Sequence, residues 1–180
     1  MNLLEYFDLP RLREALESVA DIRHPRVLFV CLGNICRSPA AEGMMLSVLQ
    51  EKHAHGWTVD SAGTGNYHIG DLPDPRMRAH ARRRGLELTH RCRQVREADF
   101  DRFDLIIGMD DSNIARLRAL APTPEDELKV LPMALLLSDK RHFDHIPDPY
   151  YEGAEGFETV LDLLDEGTRN LYDTMSAFGS

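Results

Sequence analysis

Five residues separate Cys31 from Arg37 in segment 26–40, which reads RVLFVCLGNICRSPA. A cysteine thiolate is a strong nucleophile, and the planar fork of an arginine guanidinium can bind two phosphoryl oxygens at once. A phosphate held between these side chains would meet both an attacking sulfur and a permanent positive charge. The spacing therefore predicts a site that cleaves phosphate esters.

The residues around this pair predict a strand, a loop and the start of a helix. Residues 27–30 are mostly β-branched or aromatic and indicate a buried strand, whereas Ser38 and Pro39 are typical of a helix N-cap and first turn. Between them, Gly33 and Asn34 tolerate the left-handed backbone that turns N–H groups inward. Such groups at a helix N-terminus bind anions, and these surroundings favour a thiolate. We therefore expect the loop to bind phosphate.

With these residues the chain resembles the low-molecular-weight protein tyrosine phosphatases. Residues 31–39, CLGNICRSP, are similar to the active-site signature of that family, and residues 148–150, DPY, are similar to its general-acid motif. The order of the segments DSAGT at 60–64, PDPR at 73–76 and MD at 109–110 also matches, so the resemblance covers about residues 26–175. It implies a phosphatase that hydrolyses phosphotyrosine through a cysteinyl-phosphate intermediate, with no metal or other cofactor.

Three catalytic residues follow from this resemblance. Cys31 is the expected nucleophile, Arg37 stabilises the transferring phosphoryl group, and Asp148 protonates the leaving oxygen and later activates water. Asp110 is a rival acid, but its position suits an N-cap of the next helix. Asp74, in the other Pro-Asp-Pro motif, is also predicted to be a helix N-cap.

The remaining predicted site residues come from the same matching. The expected phosphate-binding positions are Leu32, Gly33, Asn34, Ile35, Cys36 and Ser38. Ser61 and His90 match positions that form a hydrogen-bond network with Asn34. Tyr67, Tyr150 and Tyr151 are expected to form aromatic walls, which favour a flat phenyl ring over the shorter phosphoserine.

Two cysteines besides the nucleophile lie near these motifs. The resemblance implies a reversible disulfide between Cys36 and Cys31 that protects the thiolate from further oxidation, although a space-filling thiol is equally consistent with the sequence. Cys92 has no role that the resemblance assigns. Arsenate reductases share the loop but use two further cysteines, and outside the loop only Cys92 is available here.

Two other functions remain as alternatives. Members of the family that hydrolyse phosphoarginine resemble this sequence but carry threonine at the position of Ile35, so the isoleucine favours phosphotyrosine. A non-catalytic phosphate-binding module would be expected to lack the nucleophile, the arginine or the acid. All three are present.

The order of predicted elements indicates an α/β fold. Strands are predicted at 27–30, 57–61, 104–109 and 129–133, and they alternate with helices at 40–53, 74–84, 111–120 and 154–177. Such alternation predicts a four-stranded parallel sheet with helices on both faces and a ligand site at the carboxyl ends of the strands. We expect residues 25–180 to form one phosphatase domain.

The composition of the chain limits the binding partners and the cellular location that are expected. The chain has 180 residues, 43% of them hydrophobic, and a formal net charge of −9. This acidic balance disfavours nucleic acid and acidic membrane surfaces as partners and leaves a tyrosine-phosphorylated protein or peptide. Charged residues interrupt the N-terminal segment, so no signal peptide is predicted and a cytoplasmic location is expected.

Residues 1–24 precede the region of resemblance and predict an amphipathic helical extension. Apolar side chains recur there at roughly helical spacing, at Leu4, Phe7, Leu12, Leu16 and Val19. An uncovered apolar stripe is a liability, which favours docking on the core. Weak self-association and the binding of another partner are the alternatives.

Overall fold

Four parallel strands form the centre of the molecule in a computed structural model that describes residues 9–138 and 143–179. The strands are β1 (Arg26–Cys31), β2 (Thr58–Gly63), β3 (Leu105–Gly108) and β4 (Val130–Pro132), in the spatial order β2-β1-β3-β4. The predicted α/β class and the four-stranded parallel sheet are therefore confirmed. Among the helices of the described residues, none has the length and apolar character needed to cross a membrane.

The helices cover both faces of the sheet. Their bounds are α1 (Leu9–Glu17), α2 (Arg37–Glu51), α3 (Pro75–Arg82), α4 (Asp99–Arg102), α5 (Asp111–Leu120), α6 (Pro124–Glu127) and α7 (Ala154–Phe178), and a 3₁₀ helix (Met133–Leu136) follows β4. The sequence predicted α2, α3, α5 and α7 close to these bounds. It did not predict α4, α6 or the 3₁₀ helix, because four residues are too few to give a periodic pattern.

The residues of β1 alternate between two apolar cores. Val27 and Phe29 belong to the layer that contains α1, α2 and α7, whereas Leu28 and Val30 belong to the layer that contains α4 and α5. A central parallel strand covered on both faces is expected to be apolar along its whole length. This double burial explains the uninterrupted apolar run before Cys31.

The order of the strands determines where in the sheet a ligand site is expected. The chain passes from β1 through α2 to β2 on one side, and later returns to β3 on the other side of β1. The carboxyl ends of β1 and β3 therefore flank the point where the strand order reverses, which is where ligands bind in such sheets. Cys31 ends β1, and Met109 and Asp110 follow β3.

Two of the three predicted helix caps are confirmed. The Asp74 carboxylate accepts a hydrogen bond from the backbone N–H of Arg76 at 2.8 Å, and that of Asp110 accepts one from Asn113 at 2.9 Å. The predicted N-cap at Ser38 is wrong, because α2 begins at Arg37 and Cys36 occupies the cap position. The Ser38 hydroxyl instead contacts groups of the loop, as described below.

Helix α1 packs into the core layer that contains α2 and α7. Leu12 and Leu16 are 0% and 1% exposed, and Nη2 of Arg11 donates to the carbonyl of Val130 on β4 at 3.3 Å. The predicted positions Leu4 and Phe7 lie outside the described residues. The division of the chain at residue 24 stays a prediction.

A substitution in α1 tests whether this helix is part of the folded core. Leu16→Ala should lower the free energy of unfolding by about 2–5 kcal/mol, because it removes buried methyl groups and leaves a cavity. Glu17→Ala, at the exposed neighbouring position, is the control and should change stability little. Denaturant unfolding measures both variants, and equal stabilities would show that α1 does not pack as described.

Candidate active site

The loop of residues 32–36 connects β1 to α2 and turns sharply at Asn34. Asn34 has a φ of 56° and is 1% exposed. This left-handed backbone is unusual outside glycine, and asparagine tolerates it better than most residues. The turn allows the loop to wrap around a small volume in front of Cys31.

The side chain of Asn34 fixes this turn through hydrogen bonds in several directions. Its Nδ2 donates to Oγ of Ser38 at 2.8 Å and to Oγ of Ser61 at 3.0 Å, and its Oδ1 accepts from the backbone N–H of Arg93 at 2.9 Å. Nε2 of His90 lies 2.9 Å from the same Oδ1. Because Oδ1 can only accept, His90 donates from Nε2. The structure thus brings together the three residues of the predicted network, Asn34, Ser61 and His90, and adds Ser38 to them.

Two carboxylates orient His90 from its other side. Its Nδ1 lies 3.2 Å from Oε1 of Glu42 and 3.4 Å from Oδ1 of Asp60. These three side chains could together hold a metal ion by their spacing, but Asp60 also pairs with the Arg93 guanidinium at 3.0 Å. The Arg93 guanidinium thus already balances the negative charge of Asp60, which a metal ion would need as a ligand. We therefore interpret the group as support for the loop.

The Ser38 hydroxyl lies 3.0 Å from Sγ of Cys31. It accepts from Nδ2 of Asn34 and lies 3.3 Å from the carbonyl oxygen of Ala62, so its single proton can point to that carbonyl or to the sulfur. A thiolate at Cys31 has no proton and can only accept this hydrogen bond. Ser38 is therefore placed to stabilise a negative sulfur.

Arg37 is buried between the loop and two other segments. Its Nη1 donates to Oδ2 of Asp110 at 2.7 Å and to the carbonyl of Ile146 at 3.0 Å, and its Nη2 lies 3.7 Å from Oδ2 of Asp148. Burial alone would lower the pKa of Arg37, but negative charge at Cys31 and the hydrogen bond with Asp110 raise it above its ordinary value. The guanidinium is therefore charged at any physiological pH.

Asp148 is the carboxylate that faces the cleft. It is half-exposed, and its Oδ1 accepts from the backbone N–H of Tyr150 at 3.1 Å. Its loop is tied to the residue that follows β3 by a hydrogen bond from the N–H of Ile146 to the carbonyl of Met109. Asp110, the rival acid, is instead engaged with Arg37 and with the first turn of α5. Geometry thus favours Asp148 over Asp110 as a proton donor.

A cleft of about 340 Å³ opens above the loop. Its lining consists of Cys31, Leu32, Gly33, Ile35, Cys36, Arg37, Tyr67, His68, Asp148, Tyr150 and Tyr151. The predicted catalytic and wall residues all line it, whereas Asn34, Ser38, Ser61 and His90 do not. The aromatic walls stand far out in solvent, since Tyr67 is 69% exposed and Tyr151 is 93% exposed.

Sequence reasoning missed one residue that lines this cleft and one that supports its wall. His68 lines it beside Tyr67, and the Arg76 guanidinium stacks over the ring of Tyr150 at 5.2 Å while donating to its carbonyl at 3.0 Å. A histidine next to a predicted wall residue could have been noticed. The contact between Arg76 and Tyr150 joins positions 74 residues apart, so no local sequence pattern could have predicted it.

Comparisons with known proteins agree on one family. A family model described as low molecular weight phosphotyrosine protein phosphatase matches residues 26–178. A putative low molecular weight protein-tyrosine-phosphatase of Synechocystis is 43% identical over 151 residues, which cover 83% of this chain and 96% of the relative. Low molecular weight phosphotyrosine protein phosphatase 1 of Drosophila melanogaster is 45% identical over 136 residues, which cover 75% and 86%.

Solved structures give the same result. A protein tyrosine phosphatase of Entamoeba histolytica with Hepes in the active site superposes with a TM-score of 0.81 at 39% identity, covering 87% of this chain and 99% of that one. An arginine phosphatase of Drosophila superposes with a TM-score of 0.78 at 31% identity, covering 86% and 98%. The likeness therefore extends to a protein named as an arginine phosphatase.

The three thiols should differ in reactivity. Burial raises the pKa of Cys36, and burial together with the nearby Asp71 raises the pKa of Cys92 to about 11, so both thiols stay protonated at neutral pH. Only thiolates react readily with iodoacetamide, so Cys31 should be alkylated first, and phosphate should protect it.

Peptide mass spectrometry after timed exposure at pH 7 measures this order. Protein unfolded in denaturant is the control, because the burial that raises the pKa of Cys36 and Cys92 is then lost and all three thiols should react alike. Alkylation of Cys92 in the folded protein as fast as that of Cys31 would contradict the described burial.

Proposed function

The chain belongs to the low molecular weight phosphotyrosine protein phosphatase family, and on this premise we propose that it hydrolyses phosphotyrosine through a cysteinyl-phosphate intermediate. The observation that carries the proposal is the placement of Cys31, Arg37 and Asp148 in one cleft with aromatic walls. These residues supply a nucleophile, a fixed positive charge and a proton donor. No step needs a redox change.

In the first step the thiolate of Cys31 attacks the phosphorus atom. A sulfur–phosphorus bond forms while the bond from phosphorus to the phenolic oxygen breaks, and protonated Asp148 gives its proton to that oxygen. Arg37 and the N–H groups of the loop bind the other phosphoryl oxygens, on which charge is distributed in the transition state. Tyrosine leaves as the neutral phenol.

In the second step water releases the phosphate. The Asp148 carboxylate accepts a proton from water, the water oxygen bonds to phosphorus, and the sulfur–phosphorus bond breaks. Cys31 leaves as a thiolate, which the Ser38 hydroxyl at 3.0 Å stabilises by hydrogen bonding. The products are inorganic phosphate and the enzyme in its starting form.

The walls of the cleft support an aryl substrate. Tyr67 and Tyr150 line it together with Ile35, and such surfaces pack well against a flat ring. A phosphoserine is too short to reach these walls when its phosphate occupies the loop. Ile35 adds apolar surface where phosphoarginine hydrolases of this family carry threonine, which supports phosphotyrosine as the preferred substrate.

The proposed partner is a tyrosine-phosphorylated protein or peptide, and the proposed location is the cytoplasm. All three cysteines are free thiols, including the cleft residue Cys31. Thiolate catalysis and unpaired cysteines both fit a reducing compartment. The exposed aromatic rim around the cleft suits the side chains that flank a phosphotyrosine in a protein.

A comparison of three substrates tests this proposal. The purified protein should release phosphate from a phosphotyrosine peptide at least about tenfold faster, in kcat/KM, than from phosphoserine or phosphoarginine peptides of the same sequence, because only the aryl ester contacts the walls. Cys31→Ser is the control for the nucleophile and should abolish turnover while still binding vanadate. Preferred hydrolysis of phosphoarginine would assign the chain to the alternative activity.

Replacement of Asp148 tests the proton donor. Asp148→Asn should lower kcat/KM for a phosphotyrosine peptide by about 10²–10⁴-fold, and much less for an aryl phosphate whose leaving group needs no proton. This parameter reports the first step alone, so loss of the base function in the second step does not affect it.

The matched control is Asp144→Asn, because Asp144 lies on the same loop with an 88% exposed side chain and does not line the cleft. It should leave both substrates unaffected. Equal slowing of the two substrates by Asp148→Asn would show that Asp148 is not the acid.

A further inference from the structure

Cys92 lies directly behind the phosphate-binding loop, and its side chain contacts the turn at Asn34. Its Sγ donates to the carbonyl oxygen of Asn34 at 2.8 Å, and the residue is 3% exposed. We propose that Cys92 is a positioning residue for phosphate binding and hydrolysis, which fixes the Asn34 peptide through its thiol and the aromatic wall through its backbone. This inference rests on the proposed function.

The carbonyl of Asn34 needs a partner because of what the loop does. When the N–H groups of a loop turn inward toward an anion, the carbonyl groups of the same peptides point away from it. Asn34 is buried, so its carbonyl cannot rely on bulk water and requires a donor within the protein. The Cys92 thiol is that donor, and it acts on the one loop residue with a left-handed backbone.

The backbone of Cys92 holds the loop that carries the wall residues Tyr67 and His68. Its N–H donates to the carbonyl of Asp71 at 2.8 Å, and its carbonyl accepts from the N–H of Gly70 at 2.8 Å. One residue therefore joins the wall segment 67–71 to the turn of the phosphate loop. A shift of Cys92 would move both surfaces that a phosphotyrosine contacts.

The protonation state of Cys92 suits a donor. With its pKa raised to about 11 by burial and by the negative charge of Asp71, the thiol keeps its proton at neutral pH. A thiolate at this place would face the Asn34 carbonyl oxygen and repel it. The proton on sulfur is thus what makes the contact favourable, and it distinguishes Cys92 from the nucleophile.

Two variants of Cys92 separate its donor role from simple space filling. Cys92→Ala removes the donor and should weaken the binding of inorganic phosphate, followed by calorimetry, by about three- to tenfold. It should also lower kcat for an aryl phosphate by a similar factor, since a displaced loop stabilises the transition state less well. Cys92→Ser keeps a donor and should restore both quantities to within about twofold of the wild type.

Val95→Ala is the matched control, because Val95 is buried in the same segment and makes its backbone contact with Gly63 rather than with the phosphate loop. It should lower the melting temperature without weakening phosphate binding. The proposal is overturned if Cys92→Ala behaves like Val95→Ala, or if Cys92→Ser binds phosphate as poorly as Cys92→Ala. Because phosphate binding is measured without turnover, a chain inactive on phosphotyrosine would refute the proposed function and still leave this test decisive.

Discussion

The arrangement of charged groups in this site depends on the burial of one guanidinium. Arg37 is 3% exposed, and the transfer of a charged group from water to such a place costs several kcal/mol unless negative charge surrounds it. Asp110, Asp148 and a negative sulfur at Cys31 provide that charge. Because Nη1 is already committed to Asp110 and Ile146, the guanidinium has a fixed direction before any ligand arrives. In the proposed mechanism, a phosphate would therefore enter a site whose positive charge is already oriented.

The same interaction separates the roles of the two aspartates near β3. One carboxylate oxygen of Asp110 accepts from Arg37 and the other caps α5, so Asp110 has a structural role. Asp148 lies further from the guanidinium, at 3.7 Å, and on a half-exposed loop where a leaving group can reach it. The hydrogen bond from Arg37 to the Ile146 carbonyl also fixes the start of that loop. In the proposed mechanism, one guanidinium would thus position both the phosphate and the acid.

The parts that could be predicted from the residues themselves, without the resemblance to a family, are those encoded by adjacent residues. The apolar run of β1, the loop after Cys31 and the cap at Asp74 each have a local pattern, and the structure bears out these elements. The N-cap at Ser38 was predicted wrongly because the local pattern could not reveal that the hydroxyl is held by Asn34 and Cys31. Contacts of Arg93 and Cys92 with Asn34 join positions 58 or 59 residues apart, and no pattern in a short window encodes them.

Helix α1 shows how stability can be added without altering the chemistry. It precedes residue 26, where the match to the family model begins, yet Leu12 and Leu16 lie in the main core. Arg11 binds the carbonyl of Val130 at the start of β4, an edge strand of three residues, whereas the cleft lies at the carboxyl ends of the strands. Short edge strands have unpaired backbone groups, and a packed helix protects them. The helix therefore supports the amino end of β4, whereas the turn of the phosphate loop is held by Asn34 and its partners.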